Sequence, residues 1–400
     1  MKIKIHRGQH QIGGSIIEIS TNKARLIFDI GIKLDESSEV QVPRIKGLFS
    51  NGKKYDAIFI SHYHSDHIGL LNNVQDNTPV YIGKTAFMIV KASNDYRKTP
   101  INISPNFYKD SDPVVIGDIK VTPFRCDHSA YDSYMFLIEA DGKKVLYTGD
   151  YRANGRQSFE ALLKKLPAVD ILITEGTTLS REDSIKNINE SLLEDIAVEE
   201  LKKHNGPAFV MMSAMNIDRL ETVKNAAEKT GRILLEDLYT AGIASAISEL
   251  NPTKSENIRV FITDGNDEHH DKLNEYGKSK IGKNEISNQN YIMCIRQSMK
   301  NYLRKLNELQ SFKDGILFYG MWKGYQEQED MKSFLDFMQS LGVKIHTLHT
   351  SGHADTDTIE KLINDVQPTI IMPVHTEYEK WFDRYSKTTH VVYQENELEL

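Results

Sequence analysis

Residues 61–70 read SHYHSDHIGL, which puts three histidines and an aspartate, His62, His64, Asp66 and His67, within six positions. Imidazole and carboxylate are the donors that bind borderline and hard divalent cations. His62 and His64 are two apart, so an extended turn can face both rings to one side. Asp66 and His67 are adjacent and can turn towards a second point. One segment can therefore serve two neighbouring metal positions. The alternative is a chance cluster in a surface loop. The residues before it, YDAIFI at 55–60, argue against chance. A short apolar run rich in β-branched and aromatic residues reads as a buried strand, and α/β sheets place ligands where strands end. Ser65 or Asp66 can then cap a helix through HIGLLNNV.

Three more donors end apolar runs in the same way: His128 after FRCD, Asp150 at the end of YTGD, and His375 at the end of IIMPVH. Gly149, just before Asp150, allows close approach. Seven donors suffice for two metals that share a bridge, and the mixture suits zinc, with manganese or iron as alternatives. Two metals a few ångströms apart can generate a hydroxide at neutral pH and offset the charge of an in-line attack on phosphorus. The leaving oxygen also needs a proton. His353 in TSGHA is the candidate general acid, and Ser351 and Gly352 allow a tight turn whose N–H groups can meet a phosphate. The competing reading of His353 is a buried structural histidine. His346 and His349, on the strand before it, are assigned to structure.

KIKIHRG, SIIEIS, ARLIFDIG, PVYIG, IKVTPFRC, YMFLIEA and KKVLYTGD have strand character, and Asp141–Gly142 reads as a hairpin turn. Strands dominate to about residue 155. SFEALLKKL then reads as a helix and DILITEG as a buried strand. From about 185 the texture alternates: helix SIKNINESLLEDIAVEELKKH, strand PAFVMMSA, helix NIDRLETVKNAAEKTG closed by Gly231, and strand RILLEDL. Such alternation predicts a parallel α/β module. Residues 264–290 read as a polar excursion, with His269 and His270 as solvated loop histidines. YIMCIRQSMKNYLRKLNELQSF reads as a helix, and GILFYG, VKIHTLHT and TIIMPVH as strands. That helix would set Arg296, Lys300, Arg304 and Lys305 along one side, either as a solvated face or as a rail for a phosphate backbone.

At this level the residues resemble a family. SHYHSDH, His128 and YTGD, with FDIG around Asp29 and IGGS at 12–15, resemble the metallo-β-lactamase fold. TEGTT at 174, SGHA at 351 and PVH at 373 resemble the three motifs of its β-CASP branch, nucleases that include ribonuclease J and the messenger-RNA 3′-end cleavage factors. The resemblance implies an α/β protein of the α+β sandwich kind. Residues 1–180 and 345–400 would form an αββα sandwich, with a β-CASP-type parallel α/β domain inserted at 190–340. It implies that His62, His64 and His128 hold one zinc, that Asp66, His67 and His375 hold the second, and that Asp150 bridges them. Asp29 would orient a ligand imidazole from behind. His353, Glu175 and Asp66 would carry catalysis, Glu175 by orienting His353. In this branch the last motif is histidine in RNA-processing members and typically valine in DNA-repair members, so His375 points to RNA. SAMNIDRL resembles the branch's Asn-x-x-Arg region, which adds Ser213, Asn216 and Arg219 to Ser351 and Gly352 as expected substrate contacts. The alternative there is a simple helix start capped by Asn216.

Two departures stand out. The acidic motif reads EGTTLS, where relatives more often have serine after the acid. GILFYGMWKGY at 315–325 lacks the serine-rich Gly-Asn-Glu segment associated with 5′-monophosphate binding, so 5′-dependent exonuclease action is not implied. The sequence ends at 400, short of the further C-terminal domain of ribonuclease J.

Composition sets the outer bounds. The chain is 40% hydrophobic and 26% charged, an ordinary globular mixture long enough for two domains. A net charge of −7 means that any nucleic-acid path must concentrate positive charge locally. Two cysteines, Cys126 and Cys294, make no disulfide framework and fit a reducing cytoplasm. No apolar run approaches the length of a membrane span. The expectation is a cytoplasmic, two-zinc ribonuclease acting on single-stranded RNA, with a homodimer left open. The alternatives are action on DNA or on a small-molecule ester or phosphoester, and a scaffold descended from a nuclease. The scaffold reading is opposed by a ligand set with no member missing.

Overall fold

A computed structural model describes residues 1–34, 40–75, 78–101, 103–180, 187–264 and 266–400. Its contacts divide the chain into two compact units. The first comprises Met1–Lys91, Thr99–Asn187 and Gly352–Leu400; the second comprises Ala92–Lys98 and Ile188–Ser351.

The first unit is built on two seven-stranded sheets. One runs, in spatial order, Glu397–Glu399, Lys2–Arg7, Ile16–Ser20, Arg25–Phe28, Ala57–Phe59, Val80–Gly83 and Asn106–Tyr108. The other runs His390–Val391, Ile370–Pro373, Ile171–Thr174, Lys143–Tyr147, Ser133–Ala140, Ile119–Cys126 and Val114–Ile116. Strand Ser133–Ala140 shows how the sequence specifies the layers. Tyr134, Phe136 and Ile138 join a core that also takes Ile3, Ile17, Leu26, Phe28 and Phe59 of the first sheet. Met135 and Leu137 point the other way, into a cluster with helices Phe159–Leu163 and Thr356–Val366. Both faces of the strand are buried, so it reads as a continuous apolar run and not as an alternation.

The second unit holds a six-stranded sheet in the order Ile258–Phe261, Ile233–Asp237, Tyr291–Cys294, Ala208–Met211, Ile316–Tyr319 and Lys344–Thr347. Every pairing in it is parallel. Helices Lys300–Leu309 and Glu329–Ser340 bury Leu303, Leu306, Phe334 and Met338 in one cluster with Phe209, Met293, Leu317 and Tyr319 of the sheet.

Three local expectations change. Tyr291–Cys294 is a buried strand, and the helix begins only at Lys300. The four apolar residues YIMC fit either period, and their place in the sheet decides for the strand. Residues 264–290 are not a structureless excursion: Asp267–Asn274 and Lys283–Ile286 are helical, with residue 265 outside the described residues. In the long stretch read as a helix, SIKNINESLLEDIAVEELKKH, residues 184–186 lie outside the described residues and the helix runs Glu190–Lys203. Helix Lys84–Arg97 had no counterpart in the strand-rich reading of the first third.

Candidate metal centre

The centre is assembled by strand ends of the first unit. Strand Ala57–Phe59 leads into His62–His67, Ile119–Cys126 into His128, Lys143–Tyr147 into Asp150, Ile171–Thr174 into Glu175, and Ile370–Pro373 into His375. His62, His67, His128, His375, Asp66, Asp150 and Glu175 are all buried. Among the described residues, potential ligand atoms fall into three groups, each within 4.8 Å: His62, His64 and His128; Asp66, His67, Asp150 and His375; and Asp150, Glu175, His353 and His375, the last two sharing Asp150 and His375.

The FDIG turn fixes the loop that carries most of these groups. The backbone of 65–67 is pinned by Ile30 N–H to His67 O (2.7 Å), Ile32 N–H to Ser65 O (3.0 Å) and Ser15 N–H to Asp66 O (3.1 Å). Gly31 must be glycine, because a Cβ there would run into the Asp66 carbonyl. Asp29, with φ of 59°, and His375, with φ of 52°, sit in the left-handed region, the kind of local strain that gathers at functional sites.

Hydrogen bonds behind the rings settle which nitrogens face inward. Asp29 Oδ2 accepts from His67 Nδ1 (2.8 Å), Ser61 Oγ (2.7 Å) and Tyr147 OH (2.6 Å), and Asp29 Oδ1 accepts from Ser61 N–H (2.7 Å). The Ser61 hydroxyl proton is thus spent on Asp29, so His62 Nδ1 must donate to Ser61 Oγ (3.0 Å). His128 Nδ1 donates to the Gly352 carbonyl. Thr177 Oγ donates to Glu175 Oε2 (2.5 Å), so His375 Nδ1 donates to Thr177 Oγ (2.8 Å). Four imidazoles are therefore held as tautomers whose Nε2 lone pairs face inward.

Two of those lone pairs meet carboxylate oxygens: His375 Nε2 lies 3.0 Å from Asp66 Oδ2 and His67 Nε2 lies 3.3 Å from Asp150 Oδ2, while His128 Nε2 lies 3.1 Å from His64 Nδ1. His62 Nε2, His67 Nε2 and both Asp150 carboxylate oxygens are buried with no hydrogen-bond partner. Buried acceptors facing acceptors are costly without a cation between them. Asp150 Oδ2 is also 3.7 Å from His62 Nε2, 3.9 Å from His128 Nε2 and 3.7 Å from His375 Nε2, which puts it against both donor groups. The donor set therefore fits divalent cations.

The electrostatics agree. Burial, reinforced by neighbouring imidazoles, pulls His62 and His128 well below the usual histidine range. Burial would push Asp66 up, but His67 and His375 outweigh it and lower its carboxyl to about 2. Burial likewise raises Asp150, and His375, His67 and His353 more than reverse that. His67 is held well above its usual range because Asp150, Asp29 and Asp66 outweigh burial, so the surrounding carboxylates demand positive charge at this point.

His353 differs from the others. Its side chain is 22% exposed, and its Nδ1 lies 3.1 Å from Glu175 Oε2 and 3.6 Å from Asp150 Oδ2. Burial lowers this imidazole, but Glu175 and Asp150 outweigh burial and raise it. Glu175 is fully committed: Oε1 accepts Tyr151 N–H (2.8 Å), while Oε2 takes Thr177 Oγ and His353.

The expected substrate contacts divide between the two units. Gly352 belongs to the first unit through its carbonyl on His128, whereas Ser351 belongs to the second. Asn216 caps helix Ile217–Lys229 by accepting from Arg219 N–H (3.1 Å), and Ser213 Oγ accepts Met215 N–H (3.3 Å). Arg219 is fully buried, with its guanidinium on Glu190 (3.1 and 3.2 Å) and on the Leu348 carbonyl. This is the helix-start reading, and it corrects Arg219 as a phosphate contact, since a buried paired guanidinium presents nothing to a ligand. Arg296 is corrected too: it lies before the helix and pairs with Asp237, so it cannot join Lys300, Arg304 and Lys305 in a row. His269 is on a helix and held by Asp264 (2.7 Å), outside the donor groups. Ser61, Tyr147 and Thr177 were not singled out from the sequence. Each does lie inside a quoted motif, and the signal was a hydroxyl within three residues of a ligand-type side chain.

Residues 27–223 match the family described as Beta-lactamase superfamily domain, and residues 341–391 match the Zn-dependent metallo-hydrolase RNA specificity domain. Over 94% of its length the chain is 23% identical to the RNase J-like protein of Methanocaldococcus jannaschii, covering 92% of that protein. It is also 23% identical to Ribonuclease J of Mycoplasma genitalium, covering 68% of it. The fold is shared with a crystal structure of a protein of unknown function from Enterococcus faecalis, at a TM-score of 0.82 and 19% identity, covering 100% of this chain and 99% of that one. The inward-facing donors thus lie in a chain that carries a β-lactamase superfamily domain and an RNA specificity domain, a metal-dependent hydrolase that resembles ribonuclease J along most of its length.

Proposed function

We propose that the protein is a zinc-dependent ribonuclease that cleaves phosphodiesters of single-stranded RNA in the cytoplasm. The observation that carries this reading is the His353–Glu175 pair set beside Asp150, an imidazole within 3.1 Å of one carboxylate and 3.6 Å of another, against a donor set that asks for divalent cations. One zinc would be held by His62, His64 and His128, and a second by Asp66, His67 and His375, with Asp150 shared. Five imidazole nitrogens with two carboxylates favour zinc, and manganese is the nearest substitute. When bound, such cations supply Lewis acidity that polarises a phosphoryl oxygen and lowers the pKa of an attacking water.

The protein's own groups do the rest. Asp29 and Thr177 hold His67 and His375 in the tautomers that bind metal. Glu175 keeps the His353 ring oriented through Nδ1 and, with Asp150, favours its protonated form. The proton on His353 Nε2 is then available to the leaving oxygen as the ester bond breaks. Asp66 keeps its charge at any ordinary pH, so it serves as an anionic ligand and not as the acid. RNA is favoured over DNA because the chain carries an RNA specificity domain and its relatives bear ribonuclease names.

The test is end-labelled single-stranded RNA and DNA of one sequence, incubated with the protein with and without a chelator. RNA cleavage that the chelator abolishes and zinc or manganese restores supports the reading. Equal cleavage of DNA would widen it to a general nuclease. Intact RNA alongside hydrolysis of a small ester would refute it.

A further inference from the structure

His128 and Asp150 come from strands that are not neighbours. Ile119–Cys126 and Lys143–Tyr147 flank Ser133–Ala140, and each pairs with it antiparallel. Two strand spacings set them roughly 9–10 Å apart. The ladder ends at Cys126 on one side and at Tyr147 on the other, short of both donors. Yet His128 Nε2 and Asp150 Oδ2 approach to 3.9 Å. Their side chains can span that gap only from backbones held in a fixed relation.

Asp127 supplies the relation. It directly precedes His128 and is buried. Its carbonyl accepts from Arg152 N–H (2.8 Å), two residues beyond Asp150. Its carboxylate takes one donor on each oxygen: Arg152 Nε donates to Oδ1 (2.5 Å) and Gln157 N–H to Oδ2 (2.7 Å). Both Asp127 and Arg152 are shielded from water, where a charge-assisted bond is strongest. Two weaker bonds run alongside. Gln157 Nε2 donates to the Cys126 carbonyl (3.3 Å), and Cys126 Sγ to the Asp150 carbonyl (3.8 Å). Gly155 makes room for the wrap, since a Cβ there would fall 1.8 Å from Asp127 Oδ1. Residues 150–157 thus close around one carboxylate.

Asp150 depends on such a hold. Both of its carboxylate oxygens lack a hydrogen-bond partner, which leaves its backbone to place it. Tyr151 N–H, donating to Glu175 Oε1 (2.8 Å), steadies that backbone from the other side. The Gly352 carbonyl turns the His128 ring but does not set where the His128 backbone stands relative to Asp150. His67 and His375 are oriented by Asp29 and Thr177 instead.

We infer that Asp127 is a positioning residue that fixes the spacing of His128 and Asp150, and with it the affinity of the cation position formed by His62, His64 and His128. The inference rests on the two-cation reading and deepens it. Asp127 acts through its neighbours, so its loss should be felt at that position and much less at the one formed by Asp66, His67 and His375.

Two variants test it by different routes. Asp127→Asn keeps the shape, but an amide has one accepting atom, so either Arg152 Nε or Gln157 N–H then meets an NH2 group. Gly155→Ala keeps every charge and displaces the carboxylate by contact alone. Glu18→Gln, which alters a buried network outside the donor groups, is the control for lost stability. Metal-free proteins are melted and then titrated with zinc against a chromophoric chelator, and zinc-loaded crystals give anomalous peaks. Both variants should lose zinc affinity about 10–100-fold at one of the two positions. The weakened peak should be the one beside His62, His64 and His128. Glu18→Gln should melt earlier and keep both affinities. If Asp127→Asn does not fold, Gly155→Ala decides by itself. Unchanged affinities, or equal loss at both positions, overturn the positioning role while a wild type that binds two zinc ions and cleaves RNA leaves the proposed function standing. A folded wild type that binds no zinc refutes that function and this inference together.

Discussion

Replacing Asp29 by asparagine tests how the ligand tautomers are held. Asp29 is fully buried and takes four donors, three of them on Oδ2. Asparagine matches its shape and tolerates the left-handed backbone. It cannot match its acceptors. With the amide oxygen in place of Oδ2, the amide NH2 faces the Ser61 N–H, donor against donor. The opposite flip sets that NH2 against Tyr147, His67 and the Ser61 hydroxyl, which is worse. The better arrangement leaves a buried N–H unsatisfied, at about 1–3 kcal/mol, and removes charge from three bonds, at about 1 kcal/mol each. The sum is on the order of 4–6 kcal/mol before relaxation, and the neutral amide oxygen holds the His67 tautomer less firmly than the carboxylate does. Losing such a supporting carboxylate lowers metal affinity about 10–100-fold. We expect Asp29→Asn to melt earlier without metal and to lose affinity most at the position shared by Asp66, His67 and His375. Denaturant melts of metal-free protein, with titration against a chromophoric chelator, measure both. Wild-type stability and wild-type affinity in this variant would refute the reasoning.

His353→Ala should keep the fold and the bound metals and lose RNA cleavage by roughly 10²- to 10⁴-fold, the scale of a general acid; cleavage at the wild-type rate would remove that role. Glu18 offers a pH test. Burial raises it, but hydrogen bonds from His6, Tyr55 and Arg25 outweigh burial and lower its carboxyl to about 2. A depressed native pKa contributes stability that is present above about 4.5 and lost as pH falls towards 2, worth roughly 3 kcal/mol. The stability gap between wild type and Glu18→Gln should therefore close across that window, and a constant gap would count against it. Glu236 works in the opposite sense: both carboxylate oxygens are buried without partners, and burial, then Asp237, pushes it well above the carboxylate range. A raised native pKa contributes stability below about 4.5 that is lost as pH rises, so Glu236→Gln should gain on wild type as pH climbs from 5 to 8 in thermal melts.

Much of the scaffold could be read from the sequence because its strands are buried on both faces. Runs such as YMFLIEA and DILITEG stay apolar throughout, and a donor at the end of such a run is easy to see. This is why His128, Asp150 and His375 could be picked out beside the His62–His67 segment although they are distant in the chain. What failed depended on partners far away in sequence. Arg296 looked like a free cation because nothing local reveals Asp237, 59 residues earlier, as its partner. Arg219 looked like a phosphate contact because Glu190 and Leu348 close over it only in the folded unit. YIMC merged with the amphipathic helix that follows, since four apolar residues carry no period of their own. Thr177 was passed over because its role is the direction of one hydroxyl proton, which depends on the Glu175 and His375 side chains meeting at it.

Two divalent cations sharing Asp150 would be visible in anomalous diffraction at the zinc edge from crystals of the wild type and of Asp150→Asn. We expect two peaks in the wild type, one beside His62, His64 and His128 and one beside Asp66, His67 and His375, with both weakened in Asp150→Asn. A single peak or none in wild-type protein that cleaves RNA, or two undiminished peaks in Asp150→Asn, would contradict it.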